Sequence, residues 1–457
     1  MNSKNILGHD KIERLLIRFA IPSIVAMLVS ALYNIVDQFF IGRSVGMLGN
    51  AATNVSFPLT ITCTALALLG GIGGAANFNL AMGRGEPEKA QQYAGNTLSL
   101  LVFLSVLLAL VARIFLEPLM LLFAATDDVL EHAMTYTGIT ALGFPFLIFS
   151  VGGANLIRAD GSPRFSMICT LVGAIINTIL DALFVLGFNW GMAGAAWATV
   201  IGQIVSAAMV IGYLPHFKTL PLRRSALRPR WSCWRDIISL GMSPFLNQMA
   251  MMVVQVVMNN TLTFYGASSV YGKDIPLACA GIISKVGMVF FSVIIGLSQG
   301  LQPIISFNYG AQQYGRVREA YLKTLRIAVA FSCIAFLCFQ ILPRQIIGLF
   351  STGTESEEYF RFAEEYFRIF FFFTFINCIQ PLTANFFTAI GKASRGIFIS
   401  LTRQIIFLLP LLLLLPAMFG IDGVMFAGPV ADMAAATMAA LFMRAEFRRM
   451  KAVQPAA

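Results

Sequence analysis

The feature that most constrains this chain is a series of twelve long apolar segments. A helix needs about 20 apolar residues to cross the hydrocarbon core of a bilayer, so each segment predicts one membrane-spanning helix. The chain has 457 residues, of which 58% are hydrophobic and only 12% are charged, too apolar a composition for a soluble domain. The sequence therefore predicts an all-α, multi-pass membrane protein. The predicted spans are residues 15–42, 54–81, 94–116, 133–156, 165–188, 192–214, 236–263, 276–307, 321–343, 366–390, 397–419 and 421–443.

The basic residues sort to one side of these spans. Of the 32 lysine and arginine residues, 25 fall in one alternating set of loops and 6 in the other, while Lys285 lies inside the eighth span. Loops rich in lysine and arginine stay in the cytoplasm, so both termini are expected there, in a plasma membrane. The net charge of +10 is thus a topology signal and does not indicate a nucleic-acid partner.

The sequence predicts no cleaved signal peptide and no cysteine-based site. The first apolar stretch is too long for the hydrophobic part of a signal peptide and lacks a small-residue cleavage site, so it is expected to remain as the first span. The seven cysteines are scattered, without a CxxC or a Cys/His group, so neither a disulfide framework nor a zinc site is predicted.

The two halves of the chain resemble each other weakly. Glycine-containing segments recur at Gly83 and Gly310, at Gly191 and Gly420, and at Gly161 and Gly391, and a proline recurs at Pro22 and Pro244. The residue-number differences are 227, 229, 230 and 222, so they drift together. Each half holds six spans, an even number, which predicts parallel lobes related by a pseudo-twofold axis along the membrane normal.

The domain boundaries follow from a basic stretch near the middle of the chain. Residues 215 to 236 read PHFKTLPLRRSALRPRWSCWRD, a loop with six basic residues whose expected roles are topology and contact with anionic lipid. We therefore expect a first lobe at residues 1–214, a basic cytoplasmic linker at 215–235 and a second lobe at 236–457.

Polar residues in the first half are predicted to meet at one depth in the membrane. Asp37 lies in the first span, Asn177 and Asp181 lie four apart in the fifth, and Thr199 lies in the sixth. At a rise of about 1.5 Å per residue, Asp37, Asp181 and Thr199 are each about 9 to 10 Å from the outer ends of their helices. A carboxylate at that depth is expensive and indicates a functional site.

These oxygen ligands suit either a hard monovalent cation or a proton. Na⁺ is expected to bind Asp37, Asn177, Asp181 and Thr199, if a metal ion binds at all. Two close carboxylates in a low-dielectric site also favour protonation of at least one. The alternative is that these groups form no common site and that helix backbone or water satisfies the hydrogen bonds of each one separately. For Asn177 and Thr199 taken alone, this alternative is the favoured one. The repeat-equivalent residues in the second half are Asn259 and Pro410, so the predicted site belongs to the first half only.

The second half contains a charge pattern of its own. Lys285 and Asp432 lie about 14 and 16 Å from the outer ends of their helices. One interpretation is a neutralised ion pair between them, and the other is a cavity charge that changes partner during transport.

The motifs together resemble the multidrug and toxic compound extrusion (MATE) transporters, most closely the bacterial MepA-like and DinF-like branch. The matching elements are FAIPS and YNIVDQFFIG in the first span, GNTL, RADGSP, NTILD and GAAWATVIG. The resemblance implies that Asp37, Asn177, Asp181 and Thr199 form a cation-coupling site, with Tyr136 beside it. It also implies two six-helix lobes with a substrate cavity between them, where Gln38, Gln255 and Asn259 are candidate contacts along with Lys285 and Asp432.

The function implied is secondary antiport. Bulky, often cationic organic compounds would leave in exchange for H⁺ or Na⁺, by a monomer that needs no cofactor beyond the ion and is not an enzyme. A flippase for lipid or lipid-linked oligosaccharide is an alternative within the same superfamily. A membrane-embedded enzyme is a second alternative, which no HExxH, GxSxG or paired Cys/His motif supports.

Overall fold

The computed structural model describes residues 5–123, 126–272, 274–349 and 357–453. The two ends of the chain, residues 1–4 and 454–457, on which the prediction of cytoplasmic termini bears, lie outside the described residues. Two of the basic residues used for that prediction, Lys4 and Lys273, lie outside them as well.

The described residues form two groups of six long helices. The first lobe comprises α1 Ile12–Ser44, α2 Met47–Gly83, α3 Pro87–Ile114, α4 Asp127–Ala159, α5 Pro163–Asp181 and α6 Gly191–Tyr213. The second comprises α7 Trp231–Ala267, α8 Asp274–Gly310, α9 Tyr314–Ile341, α10 in two pieces (Glu357–Phe370 and Ile379–Ala389), α11 in two pieces (Ala393–Leu401 and Leu409–Phe419) and α12 Ile421–Val453. π-helical turns continue α5 at Ala182–Gly187 and join the two pieces of α11 at Thr402–Leu408.

The prediction of an all-α protein with twelve apolar spans is confirmed, with one irregularity. Eleven spans are long and apolar enough to cross a membrane, and the twelfth, α10, is bent by 43° between its two pieces. Its first piece, EEYFRFAEEYFRIF, alternates charged and aromatic residues, so an apolar window finds only its end and places the start too late. Helix α7 likewise begins at Trp231, five residues before the predicted start.

The internal repeat is visible in the backbone. Gly161 and Gly391 end α4 and α10 with φ of 84° and 80°, and Gly191 and Gly420 begin α6 and α12 with φ of 54° and 61°. Only glycine adopts these conformations without strain. The paired glycines therefore form the same turns in both halves, as expected for two lobes related by an internal repeat.

The two lobes pack closely in the half of the bundle nearest the linker, which we call the linker end. At Gly73 of α2, an added Cβ would lie 2.0 Å from the Ile237 carbonyl oxygen of α7. At Gly241 of α7, it would lie 1.8 Å from the Leu69 carbonyl oxygen of α2. Small residues allow such close backbone approach between membrane helices. Glycines therefore set the distance between the lobes here.

Hydrogen bonds between the lobes lie at the same end among the described residues. Arg158 of α4 donates to Oε1 of Gln299 in α8 at 3.0 Å. Gln302 of α8 donates to the Ile72 carbonyl oxygen of α2 at 3.1 Å. These polar contacts and the glycine contacts close the linker end in this structure.

The linker is anchored to the first lobe by a buried carboxylate. Asp160 accepts hydrogen bonds from the Tyr213 hydroxyl and from the backbone N–H groups of Lys218 and Thr219, at 2.7 to 2.8 Å. Burial raises the pKa of Asp160, and these hydrogen bonds oppose the rise. Since Asp160 belongs to the RADGSP motif, this motif serves to fix the turn between α4 and α5 against the linker.

The glycine contacts between the lobes generate a test. Gly241→Ala places a methyl group where the Leu69 carbonyl lies, and such overpacking should destabilise the protein by about 1 to 3 kcal/mol. Gly212→Ala in α6 is the control, because a Cβ there meets nothing within 4 Å. Melting temperatures of the purified proteins in detergent should fall for the first variant only, and equal melting temperatures would contradict the close packing.

Candidate functional site

Two carboxylates lie together inside the first lobe. Asp37 of α1 is 9% exposed and Asp181, at the end of α5, is fully buried. Their side chains are close enough to share a hydrogen bond when one of them is protonated. Oδ1 of Asp37 and both carboxylate oxygens of Asp181 otherwise have no hydrogen-bond partner among the described residues. We call these two residues the acid pair.

An amide, a hydroxyl and a phenol surround the acid pair. Asn177 lies one turn before Asp181 on α5, and its Nδ2 donates to the Thr199 hydroxyl of α6 at 3.4 Å. This leaves Oδ1 of Asn177 buried without a partner. Tyr136 of α4 is buried beside the acid pair, with its hydroxyl directed at Thr199. The five residues predicted to form a cation site therefore lie together in the structure.

Local sequence explains how Asp181 is held. Helix α5 changes to a π-helical turn immediately after Asp181, over the residues ALFVLG. Within and after this turn, the ring of Phe184 stacks on Trp190 at 4.9 Å between centroids. π-helical turns occur most often at functional sites. The aromatic stack thus fixes the end of α5 and, with it, the carboxylate of Asp181.

One residue next to the acid pair was not predicted. Tyr33 lies on α1 one turn before Asp37 and is close to both carboxylates. Residues four apart share one face of a helix, so the spacing from Asp37 was the signal that could have identified it. The site therefore presents two phenols, Tyr33 and Tyr136, beside two carboxylates.

The unpartnered oxygens determine what this site can bind. Four buried oxygen atoms on three side chains converge without a donor, namely Oδ1 of Asp37, both oxygens of Asp181 and Oδ1 of Asn177. Buried polar atoms in native proteins nearly always have partners, so an orphaned cluster indicates a bound species. A proton or a hard monovalent cation fits these oxygens. No group of three or more His, Cys, Asp or Glu occurs among the described residues, so a multi-ligand transition-metal site is not formed there.

The second lobe buries a different polar group, which corrects the expected pairing of Lys285 with Asp432. Asp432 of α12 pairs instead with Arg403 of α11, whose Nε donates to Oδ1 at 2.5 Å. Asn377 donates to Oδ2 at 2.9 Å. Asp432 is 2% exposed and lies inside the second lobe, not in a cavity between the lobes. We call Asn377, Arg403 and Asp432 the second-lobe triad.

Arg403 was counted with the basic loop residues although it falls within the predicted span 397–419, and the structure places it inside α11. It belongs to the π-helical turn Thr402–Leu408, and its guanidinium lies 5.6 Å from the centre of the Phe291 ring. Because a buried arginine needs a carboxylate, Asp432 was the signal that could have located it. Lys285 is half-buried, and neither a hydrogen bond nor an ion pair links it to another residue in the described ranges.

The remaining predicted contacts lie on α1 and α7. Gln255 and Asn259 are one turn apart on α7, and Nε2 of Gln255 donates to Oδ1 of Asn259 at 3.0 Å. Gln38 is half-buried on α1 next to Asp37 in sequence. No hydrogen bond joins Gln38 to Gln255 or Asn259 among the described residues.

Comparisons with known proteins agree over almost the whole length of the chain. The sequence model of the MatE family matches residues 22–183 and 248–414, one segment in each lobe. A FAD transporter of Shewanella oneidensis is 25% identical over 453 residues, covering 95% of this chain and 94% of the relative. The multidrug export protein MepA of Staphylococcus haemolyticus is 24% identical over 432 residues, covering 94% and 93%.

Solved structures share the fold. One is described as the outward-facing conformation of a multidrug resistance MATE family transporter of the MOP superfamily. It superimposes with a TM-score of 0.90 at 20% identity and covers 98% of both chains. The arrangement of two six-helix lobes is therefore that of a known transporter fold.

The second-lobe triad generates a test of pairing. Asp432→Ala should lower the free energy of unfolding by about 3 to 5 kcal/mol, because it leaves the Arg403 guanidinium buried without a counter-charge. The double variant Arg403→Met/Asp432→Leu should recover most of that loss, since it removes both charges. Lys285→Met should stay within about 0.5 kcal/mol of the unmodified protein. Thermal unfolding in detergent measures all three, and a loss with Lys285→Met as large as that with Asp432→Ala would restore the pairing with Lys285.

Proposed function

This chain belongs to the multidrug and toxic compound extrusion (MATE) family of transporters, and from that premise we propose that it is a secondary antiporter. It exports organic compounds from the cytoplasm in exchange for inward movement of H⁺ or Na⁺. The family match supports the transport class, because the matched segments cover most of both lobes. The acid pair supports the coupling to a cation.

The observation that carries this proposal is the cluster of four unpartnered oxygens on Asp37, Asn177 and Asp181. A bound cation or proton satisfies these atoms, and its loss leaves two carboxylates facing each other. A ligand shifts a conformational equilibrium only by binding one state better than the other. The acid pair joins α1 to α5, so binding there favours one arrangement of α1 relative to the rest of the first lobe. Coupling thus depends on Asp37 and Asp181, with Asn177, Thr199, Tyr33 and Tyr136 as their neighbours.

The contacts between the lobes support an outward-facing assignment for this structure. The linker end is closed by glycine packing and by the hydrogen bonds of Arg158 and Gln302. We place that end in the cytoplasm of a cell with this protein in its plasma membrane, because most of the basic loop residues lie there. The substrate cavity then opens between the lobes toward the opposite side. One chain contains both lobes, so a monomer suffices for transport.

The names of the relatives define the substrates to test. They are a FAD transporter and a multidrug export protein, which handle an anionic dinucleotide and drugs respectively. The candidate contacts in the cavity are Gln38, Gln255, Asn259 and Lys285. Of these, Lys285 carries the only charge, so it distinguishes anionic from cationic compounds.

The role of Asp37 in coupling can be tested by removing its charge. Asp37→Asn keeps the size of the side chain and removes its charge, so ethidium efflux from cells should be abolished while the amount of protein in the membrane stays unchanged. Asp422→Asn, the same substitution at an exposed position of α12, is the matched control for expression and folding. Efflux at the unmodified rate in Asp37→Asn would remove the acid pair from the mechanism.

The second prediction concerns the ion. Purified protein in proteoliposomes should accumulate or release ethidium when a pH gradient or a Na⁺ gradient is imposed, each applied separately. Only the gradient of the coupling ion should drive transport, and Asp181→Asn should abolish that response. Transport that follows neither gradient would contradict secondary antiport.

A third comparison defines the substrate class. Lys285→Met should reduce transport of FAD at least about fivefold while leaving ethidium transport nearly unchanged, if anionic compounds are carried, because a half-buried ammonium group attracts an anion and repels a cation. Equal effects on both compounds would show that Lys285 does not select substrates by charge.

A further inference from the structure

A cavity of about 100 Å³ lies inside the first lobe between α1, α4, α5 and α6. One water needs about 10 to 15 Å³ of such space, so the cavity has room for several waters. Asn177 and Thr199 of the coupling site form part of its wall. Its other polar lining residues are Ser30, Tyr33, Ser150, Thr170, Gln203 and Ser206.

The lining of this cavity favours a cation over an anion. The hydroxyls of Ser150 and Ser206 donate to the carbonyl oxygens of Leu147 and Cys169, at 3.1 and 2.9 Å. A hydroxyl that donates to backbone keeps its lone pairs available as acceptors. Oδ1 of Asn177, a side chain that is 3% exposed, has no partner. The available groups are therefore mostly acceptors, which stabilise positive charge.

The cavity extends from Asn177 and Thr199, beside the acid pair, toward the linker end. Along α5, its wall runs from Asn177 back to Cys169, which is twelve residues or about 18 Å before Asp181. Along α6, it runs from Thr199 to Ser206, which is seven residues or about 10 Å before the end of the helix. Beyond it, Phe165 packs on Tyr213, whose hydroxyl is held by Asp160. The cavity thus lies between Asn177 and Thr199, the neighbours of the acid pair, and a plug that Phe165, Tyr213 and Asp160 form nearer the linker.

The second lobe fills the same position with its own charge. The repeat offsets of 229 and 230 relate Asn377 to Leu147, Arg403 to Gly173 or Ala174, and Asp432 to Gln203. Each of those first-lobe residues lines the cavity. By these offsets, the Arg403–Asp432 pair of the second lobe corresponds to residues that line the cavity in the first lobe.

We propose that this cavity is the release route along which the coupling cation leaves the acid pair toward the linker end, and that the second-lobe triad closes the equivalent route. This inference rests on the proposed antiport function. A small cation or proton that leaves Asp37 and Asp181 moves through water bound to Ser, Asn and Gln oxygens. The plug formed by Phe165, Tyr213 and Asp160 separates this route from the linker side. In the second lobe, the positions equivalent to this cavity carry the Arg403–Asp432 ion pair, so coupling is confined to the first lobe.

The first test compares how fast a cationic and an anionic reagent reach the cavity, and it does not require transport. In a cysteine-free background, Ser206→Cys places a thiol in the cavity, and Ala435→Cys places one at the equivalent position of the second lobe. The probes are 2-aminoethyl methanethiosulfonate, a cation, and 2-sulfonatoethyl methanethiosulfonate, an anion. Ser206→Cys should react at least about tenfold faster with the cation, because the lining is acceptor-rich and of low dielectric. Ala435→Cys should react with neither. Equal rates for both reagents, or equal rates at both positions, would overturn the proposal.

The second test blocks the route without changing the acid pair. Ala174→Leu adds three carbon atoms to the cavity wall, which fills most of the hollow, so ethidium efflux should fall at least about tenfold. Ala208→Leu makes the same substitution at an exposed position of α6 and should leave efflux unchanged. If Ala174→Leu does not fold, as judged by its melting temperature, the thiol reaction rates decide the question.

The outcomes separate this inference from the proposed function. Unchanged efflux in Asp37→Asn would remove cation coupling altogether. Loss of efflux in Asp37→Asn together with unmodified efflux in folded Ala174→Leu would overturn the release route alone. Loss of efflux in both variants, with cation-selective reaction at Ser206→Cys, is the expected result.

Discussion

The cost of placing charge in a membrane interior governs the organisation of both lobes. Each lobe buries aspartate deep inside its helical bundle, and an isolated carboxylate is not tolerated there. The second lobe neutralises Asp432 permanently with Arg403 and a hydrogen bond from Asn377. The first lobe leaves Asp37 and Asp181 together with unpartnered oxygens. One lobe therefore pairs its buried aspartate with an arginine of its own sequence, and the other leaves carboxylate oxygens without a partner among the described residues.

This difference assigns separate roles to lobes that share one fold. A permanent ion pair stiffens α11 and α12 against each other, because separating the charges leaves both unpaired in a low-dielectric interior. Under the proposed antiport, the packing of α1 on α5 depends on the bound ion. In that proposal the first lobe is the one whose internal arrangement responds to the ion, while the second lobe keeps its internal ion pair.

Much of the fold and part of the site could be predicted from the sequence. Twelve spans follow from apolar length, and the meeting of Asp37 with Asp181 follows from helix rise and equal depth. Arg403 was counted with the basic loop residues although it lies within the predicted span 397–419, and the π-helical turn that carries it has no clear sequence signal. The first piece of α10 was missed because its charged residues lower its hydropathy. The cavity next to the acid pair could not be predicted, because it forms where helices distant in the chain pack together and no local sequence pattern indicates such packing.

The glycine contact between α2 and α8 has a further consequence for how the two halves are joined. A Cβ at Gly83 would meet the Phe307 carbonyl oxygen, and a Cβ at Gly310 would meet the Leu80 carbonyl oxygen. Leu80 and Phe307 are related by the same difference of 227 as the two glycines, so each half presents the same patch to the other. Such reciprocity is the mark of an isologous interface, the kind that joins identical subunits around a twofold axis. The seam inside this single chain therefore has the geometry of a homodimer, and a substitution on either side of it changes a surface that must remain self-complementary.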